Sequence, residues 1–215
     1  MCRKNSGGVL DLVDAAALLF RFELAGVDVG ARWPGVNDLW FPHADNHITA
    51  FNDTHIAMAM LGSGVEQLKV GAWLRNLEDY QEGTVETNQR ISRTVGTNLV
   101  KAVVDFKQGN YSKAVTVHLC CSFFEFLFRF TDDNILLWLQ SIFPSRYDIQ
   151  RVGGSHAQRD IYNQLLIQAA IRSGEPHHLA LARSLLNERL TLKPSSGLTK
   201  RFFDQLAIAQ EHNKR

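Results

Sequence analysis

Histidine and aspartate crowd into one short stretch of the chain. His43, Asp45, His47, Asp53 and His55 lie within thirteen consecutive positions. Imidazoles and carboxylates are the usual ligands of zinc-class ions, and both move protons near neutral pH. An acid–base or metal site is therefore one reading, but the spacing limits it. On a helix running over 45–61, His47 and His55 stand eight residues apart, roughly 12 Å along the axis. A single ion with bonds of about 2 Å cannot be shared by both. His43 is nearer to His47 but precedes the helix. His55 also belongs to the stripe Ile48, Phe51, His55, Met58, and a histidine on an apolar stripe usually has a structural partner. Two readings stand: a site using His47, Asp53 and His55, or a hydrogen-bonded core or groove histidine.

Further polar residues interrupt helices that are otherwise apolar: Asn52-Asp53, and Arg159-Asp160 with Asn163. They could line the concave groove of a helical superhelix and contact a peptide. They could equally form inter-helix hydrogen bonds or a solvated face. The predicted partner-binding residues are thus His47, Asn52, Asp53, His55, Arg159, Asp160 and Asn163. No catalytic residue, metal ligand or cofactor is assigned. Sharper signatures are missing: the sequence has no HExxH, no GxxxxGK[ST], no GxSxG and no CxxC. The three cysteines, Cys2 and the vicinal Cys120-Cys121, are odd in number and do not read as a disulfide framework.

The elements that position these residues read as helices. The clearest unit is 155–194. Ser155, with Gln158 three residues on, makes a capping box after the Gly153-Gly154 break. Ile161, Tyr162, Leu165, Leu166, Ala169 and Ala170 then recur at helical spacing. Gly174 and Pro176 punctuate the turn. Leu179, Ala182, Leu185, Leu186 and Leu190 mark a second helix, closed by Pro194. A tetratricopeptide repeat is a helical hairpin of about 34 residues with small residues where its helices touch. In that frame Ala170 and Ala182 take the small positions, and Leu166 and Leu186 the large apolar ones. Ser173 and Arg189 miss the pattern, so an ordinary antiparallel helix pair is the alternative.

Earlier segments follow the same logic. Asp11 is expected to cap a helix through Leu24, with Val13, Ala17, Phe20 and Leu24 in one stripe and Ala16 beside it. Pro34 and Gly35 make 28–41 a weaker or late-starting helix. Asp45 is expected to cap the helix to Leu61. Another runs from Val65 to about Tyr80 with Leu68, Ala72 and Leu77 inward, and a long one from near Glu86 to Phe106. Gly109-Asn110-Tyr111 and Ala114 then repeat the turn spacing of a second hairpin, and a helix from Leu198 to about Gln210, within 197–211, covers the last one. No convincing strand alternation occurs.

Composition excludes several function classes. The chain has 215 residues, 45% of them hydrophobic and 21% charged, and a formal net charge of +1. No strong field favours nucleic acid or an acidic membrane. The polar start MCRKNSGG lacks an apolar h-region, so a cytoplasmic setting is expected. Residues 118–143 are unlike the rest, holding six of the thirteen phenylalanines. Glu125, Arg129, Asp132 and Asp133 break any run long enough to span a bilayer.

The stretches VLDLVDAAALLFRFELAGVDVGARW, DNHITAFNDTHIAMAMLG and RYDIQRVGGSHAQRDIYNQLLIQAA, with ARSLLNERLTLKPSSGLT, resemble the C-terminal half of the tetratricopeptide repeat protein 38 family. FNDTH and GGSHAQRD are the specific motifs. The resemblance spans roughly Gly7 to Val117 and Ile142 to the end. It implies an all-α fold, with tetratricopeptide-like hairpins stacked in an α-solenoid, and a single helical-repeat domain over 1–215 that is a C-terminal fragment of a longer array. It implies no reaction. The family passes almost directly from the GNYSKAV segment to the RYDIQ segment. The atypical insert at 118–141 is therefore expected to be a retained intron or gene-model artefact, which sequencing the spliced transcript tests. The expected role is a protein-interaction scaffold taking a protein or peptide in a superhelical groove, with no nucleic acid and no membrane. The alternative is an enzyme or metal-binding protein built on 45–61.

Overall fold

The computed structural model describes residues 8–83, 85–119 and 145–212. Among them every regular element is helical and none is a strand. The α-helices are α1 (Val9–Leu24), α2 (Trp33–Trp40), α3 (Ala50–Gly62), α4 (Gln67–Gln81), α5 (Thr87–Ile91), α6 (Thr97–Lys107), α7 (Tyr111–Leu119), α8 (His156–Ser173), α9 (Pro176–Leu192) and α10 (Gly197–His212). Short 3-10 turns cover Gly30–Arg32, Phe41–His43 and Ser145–Val152. The predicted insert at 118–141 lies outside the described residues beyond the last turn of α7, as do Cys2, Cys120 and Cys121. No described helix is long and apolar enough to cross a membrane.

Local chemistry sets the ends of the best-defined hairpin. Ser155 Oγ accepts from the Gln158 N–H while Gln158 Oε1 accepts from the Ser155 N–H, the reciprocal cap expected from the sequence. Gly174 stops α8 at φ 72°, and Pro176 opens α9 in its first turn. Ala170 and Ala182 are both buried, and α8 and α9 pack together.

Four expectations need correction. Helix α1 starts at Val9 after Gly8, and Asp11 sits inside its first turn; a carboxylate there favours the helix dipole without capping it. Helix α3 starts at Ala50, not near Asp45: the cap is Thr49, whose side chain accepts from the Asn52 N–H. His47 precedes that cap with a left-handed φ of 43°, so a helix over 45–61 does not exist and the 12 Å spacing does not apply. In α4 the inward residues are Val70, Trp73 and Leu77, while Leu68 is 84% exposed. Ile48 likewise faces out, although Phe51, His55 and Met58 of the same stripe are buried.

The expected long helix is three contiguous pieces: α5, a π-turn over Ser92–Gly96, and α6. Its cap at Glu86 is a capping box with Gln89. The π-turn presses Gly96 against α3, where a Cβ would stand 2.5 Å from that of Ala50. From there the C-terminal helices pack consecutively, α6 on α7, α7 on α8, α8 on α9 and α9 on α10. The N-terminal helices do not continue that line. Helix α1 packs on α2, α3 and also α8, so one hydrophobic core joins both ends.

Candidate functional site

Sequence reasoning placed seven residues in candidate sites, and the fold separates them into two groups. His47, Asp53 and His55 are buried around the start of α3, whereas Arg159, Asp160 and Asn163 lie on α8 at an open cleft. Asn52 is half-buried on α3. The two groups do not form one constellation.

His47 is 3% exposed and held on both ring nitrogens. Nδ1 donates to Asp53 Oδ1 at 3.1 Å, and Nε2 lies 3.1 Å from Asn76 Oδ1. The Asn76 amide nitrogen faces Asp45, which leaves its oxygen toward His47 as an acceptor. With Asp53 Oδ1 and Asn76 Oδ1 facing its two nitrogens, the ring is favoured in its protonated form, while burial pushes the Asp53 carboxyl up against the opposing pull of His47. Burial acts to lower the His47 pKa, but the hydrogen bond and charge of Asp53, with help from Asn76 and Asp45, outweigh it and raise it. Tyr80 stacks on the ring at 4.9 Å. Asn88 Nδ2 donates to the His47 carbonyl at 2.6 Å while Asn88 Oδ1 accepts from the Ala50 N–H. These bonds hold the strained left-handed turn that feeds α3.

One helical turn further on, the FNDTH motif forms a buried relay. His55 Nδ1 donates to the Phe51 carbonyl at 2.7 Å, which fixes its tautomer. Burial pushes its pKa down to about 4, so it is neutral. Thr54 Oγ1 donates to the same carbonyl at 2.8 Å and accepts from the Tyr162 hydroxyl at 2.6 Å. Burial raises the Tyr162 pKa, keeping it the donor. Phe51 in turn lies against Gly154, where a Cβ would meet its ring at 2.7 Å. FNDTH and GGSHAQRD, the two specific motifs of the sequence, are therefore one packed junction between α3 and α8. Each donor of the junction meets an internal acceptor, while the buried His55 Nε2 has no partner among the described residues.

The α8 residues sit differently. Together with Ile149, His156, Ile167, Leu185, Arg189 and Lys193, Arg159, Asp160 and Asn163 line a cleft of about 210 Å³ between the Ser145–Val152 turn, α8 and α9. Asp160 accepts two bonds from the Arg189 guanidinium, at 2.5 and 2.7 Å, and one from Gln164. Burial acts to raise the Asp160 pKa, but these bonds dominate and lower it. Arg189, which misses the repeat pattern, thus clamps the hairpin. Arg159 donates to the carbonyls of Gly153 and Gly154. Asn163 is exposed on the cleft wall.

A further group escaped the sequence reading. Glu175, His177 and His178, at the α8–α9 turn, bring three potential ligand atoms within 4.8 Å of one another. Glu175 also accepts from Ser112 of α7, and His178 Nδ1 lies 2.9 Å from Ser173 Oγ. The dipeptide His177-His178 was the available signal, masked by its position beside the helix-starting Pro176. The partner roles of Asn76, Asn88, Tyr162 and Arg189 carried no sequence signal, because each acts from a different helix than the residue it contacts.

No family model matches the chain, and no solved structure matches it.

Proposed function

We propose that this chain is a helical interaction module, a tetratricopeptide-like array of the tetratricopeptide repeat protein 38 type, that takes an extended protein segment in the cleft between α8, α9 and the Ser145–Val152 turn. One observation carries the reading: Arg159, Asp160 and Asn163, polar residues that interrupt an otherwise apolar helix, line one open cleft together with Lys193 and the apolar Ile149, Ile167 and Leu185. The consecutive packing from α6 to α10 supports the repeat part. A cleft of this size is below the range for drug-sized ligands and suits one or two side chains of a bound segment. Arg189 is committed to Asp160, so Arg159 and Lys193 against Glu188 leave the rim basic. The partner segment is therefore expected to pair an apolar residue with an acidic one. The absence of a disulfide framework among Cys2, Cys120 and Cys121 supports a reducing, cytoplasmic setting.

Peptide display against the intact chain tests the proposal. Enriched peptides should carry an acidic residue beside an apolar one. The doubly substituted Asn163→Glu, Lys193→Glu chain should bind them at least about tenfold more weakly, some 1.4 kcal/mol. Lys69→Glu, on α4, should change nothing. Failure to enrich any motif, or equal binding by the cleft variant, would remove the assignment.

A further inference from the structure

The turn between α8 and α9 carries metal-ligating side chains that the cleft does not use. Glu175, His177 and His178 each offer one donor atom, and the three atoms lie within 4.8 Å of one another. Glu175 Oε2 stands 3.2 Å from His177 Nε2 and 3.7 Å from His178 Nδ1. Bonds of about 2.0–2.1 Å to a tetrahedral ion set its donors roughly 3.3 Å apart. Small side-chain rotations are enough to seat an ion among the three.

The build of the turn explains why these groups converge. Gly174 reverses the chain at φ 72°, and Pro176 fixes the first residue of α9. Glu175 is the N-cap residue of α9, yet its side chain caps nothing. A carboxylate at that position ordinarily accepts from N–H groups of the first turn. Here Oε1 accepts instead from the Ser112 hydroxyl of α7, and Oε2 faces the two imidazoles. An outer donor that orients a ligating carboxylate is a regular companion of metal sites. His178 is 3% exposed, with Nδ1 2.9 Å from Ser173 Oγ. That hydroxyl already donates to the Ala170 carbonyl, so the proton of the Ser173–His178 bond sits on Nδ1. Moving it to Nε2 frees Nδ1 for an ion. Glu175 and His177 are each 41% exposed, which leaves the approach from solvent open.

The donor set narrows the occupant. Two imidazoles and one carboxylate suit a zinc-class ion, whereas magnesium and calcium take oxygen ligands. The dipole at the start of α9 disfavours a cation, but the Glu175 charge opposes it at the same place.

We infer that Glu175, His177 and His178 bind one zinc-class divalent cation, with water completing its coordination, and that the ion fastens α7 to the α8–α9 turn through Ser112 and Glu175. This site does not depend on what the cleft binds.

Calorimetric titration tests it on the full, tag-free chain after dialysis against a chelator. Zinc should bind saturably with one-to-one stoichiometry, and magnesium should not bind. His177→Ala removes an exposed ligand, and Glu175→Gln keeps an acceptor for Ser112; each should weaken zinc binding at least about tenfold. Ser112→Ala should weaken it about tenfold by releasing the carboxylate. His212→Ala, at the exposed end of α10, should leave affinity unchanged. Zinc should also raise the thermal midpoint of the parent but not that of His177→Ala. Absence of saturable zinc binding, or magnesium binding of equal strength, would overturn the inference. So would parental zinc affinity in His177→Ala and Glu175→Gln chains whose circular dichroism is native, the result that zinc held by the cysteine thiols would give. Parental affinity in a native Ser112→Ala chain would overturn the link to α7.

Discussion

Two histidines eight residues apart are driven in opposite directions by their surroundings. His55 is fully buried and its only bond uses Nδ1 as a donor, so protonation would strand a charge in the core. Its pKa falls from an ordinary 6.5 to about 4. The folded state then binds fewer protons than the unfolded chain below pH 6.5, and stability drops as pH falls from 6.5 toward 4. The loss attributable to His55 is roughly 3 kcal/mol. Urea denaturation at several pH values should show it, and His55→Leu should flatten that limb while lowering stability at pH 7. His47 has the opposite sign. Its raised pKa means that its stabilisation is complete below pH 6.5 and fades as pH rises through the folded-state value. His47→Asn, which tolerates the left-handed backbone, should remove that alkaline slope.

At the scale of the element, glycine behaves oppositely on two neighbouring helices. Gly71 sits in α4 with only the far end of Arg75 nearby, at 3.8 Å. Alanine there removes backbone entropy from the unfolded chain and should stabilise by about 0.5–1 kcal/mol. Gly96 ends the π-turn, and an alanine Cβ would press to 2.5 Å from that of Ala50. The same substitution should cost about 1–3 kcal/mol, because either α3 or the π-turn must move. Thermal denaturation of the two single variants decides it; stabilisation by Gly96→Ala would mean that the α3 contact is not tight. The π-turn fits its surroundings: an extra residue per turn brings its glycine against α3 and sets the next piece, α6, to pack on both α3 and α7.

For the whole molecule the decisive contact joins α1 to α8. Arg172 of α8 donates to the Glu23 carbonyl at 3.2 Å, at the negative end of α1. Its guanidinium also lies 4.9 Å from the Phe106 ring centroid and 5.9 Å from that of Tyr111. Arg21 of α1 reaches back to the carbonyls of Ala157 and Gln158. A strictly linear stack unfolds in parts, because each unit touches only its neighbours. Here both ends share one core, so unfolding should be a single cooperative transition. Tryptophan fluorescence, weighted to Trp33, Trp40 and Trp73, and far-ultraviolet circular dichroism should give coincident urea curves. Separated midpoints would contradict the closure. Arg172→Ala should shift both curves together by about 1–2 kcal/mol, from the lost carbonyl and ring contacts.

Periodicity and punctuation alone determined that the described chain is helical. They also set the bounds of the 155–194 hairpin, because capping boxes, turn glycines and apolar stripes act within a few residues of one another. The two motifs FNDTH and GGSHAQRD stood out from sequence, but their meaning did not. Whether His47, Asp53 and His55 face solvent or core depends on Asn76 and Tyr80, which meet His47 from another helix, and on Tyr162, which meets Phe51 and Thr54 beside His55. The cap at Thr49 was hidden for a similar reason: Asp45 is an equally good capping residue locally, and only the clamp of Asn88 on His47 starts the helix later. Tertiary packing also decided the closure of α1 on α8 and the meeting of Ser112 with Glu175. Both arise from side chains distant in sequence, where no local pattern records which faces will meet.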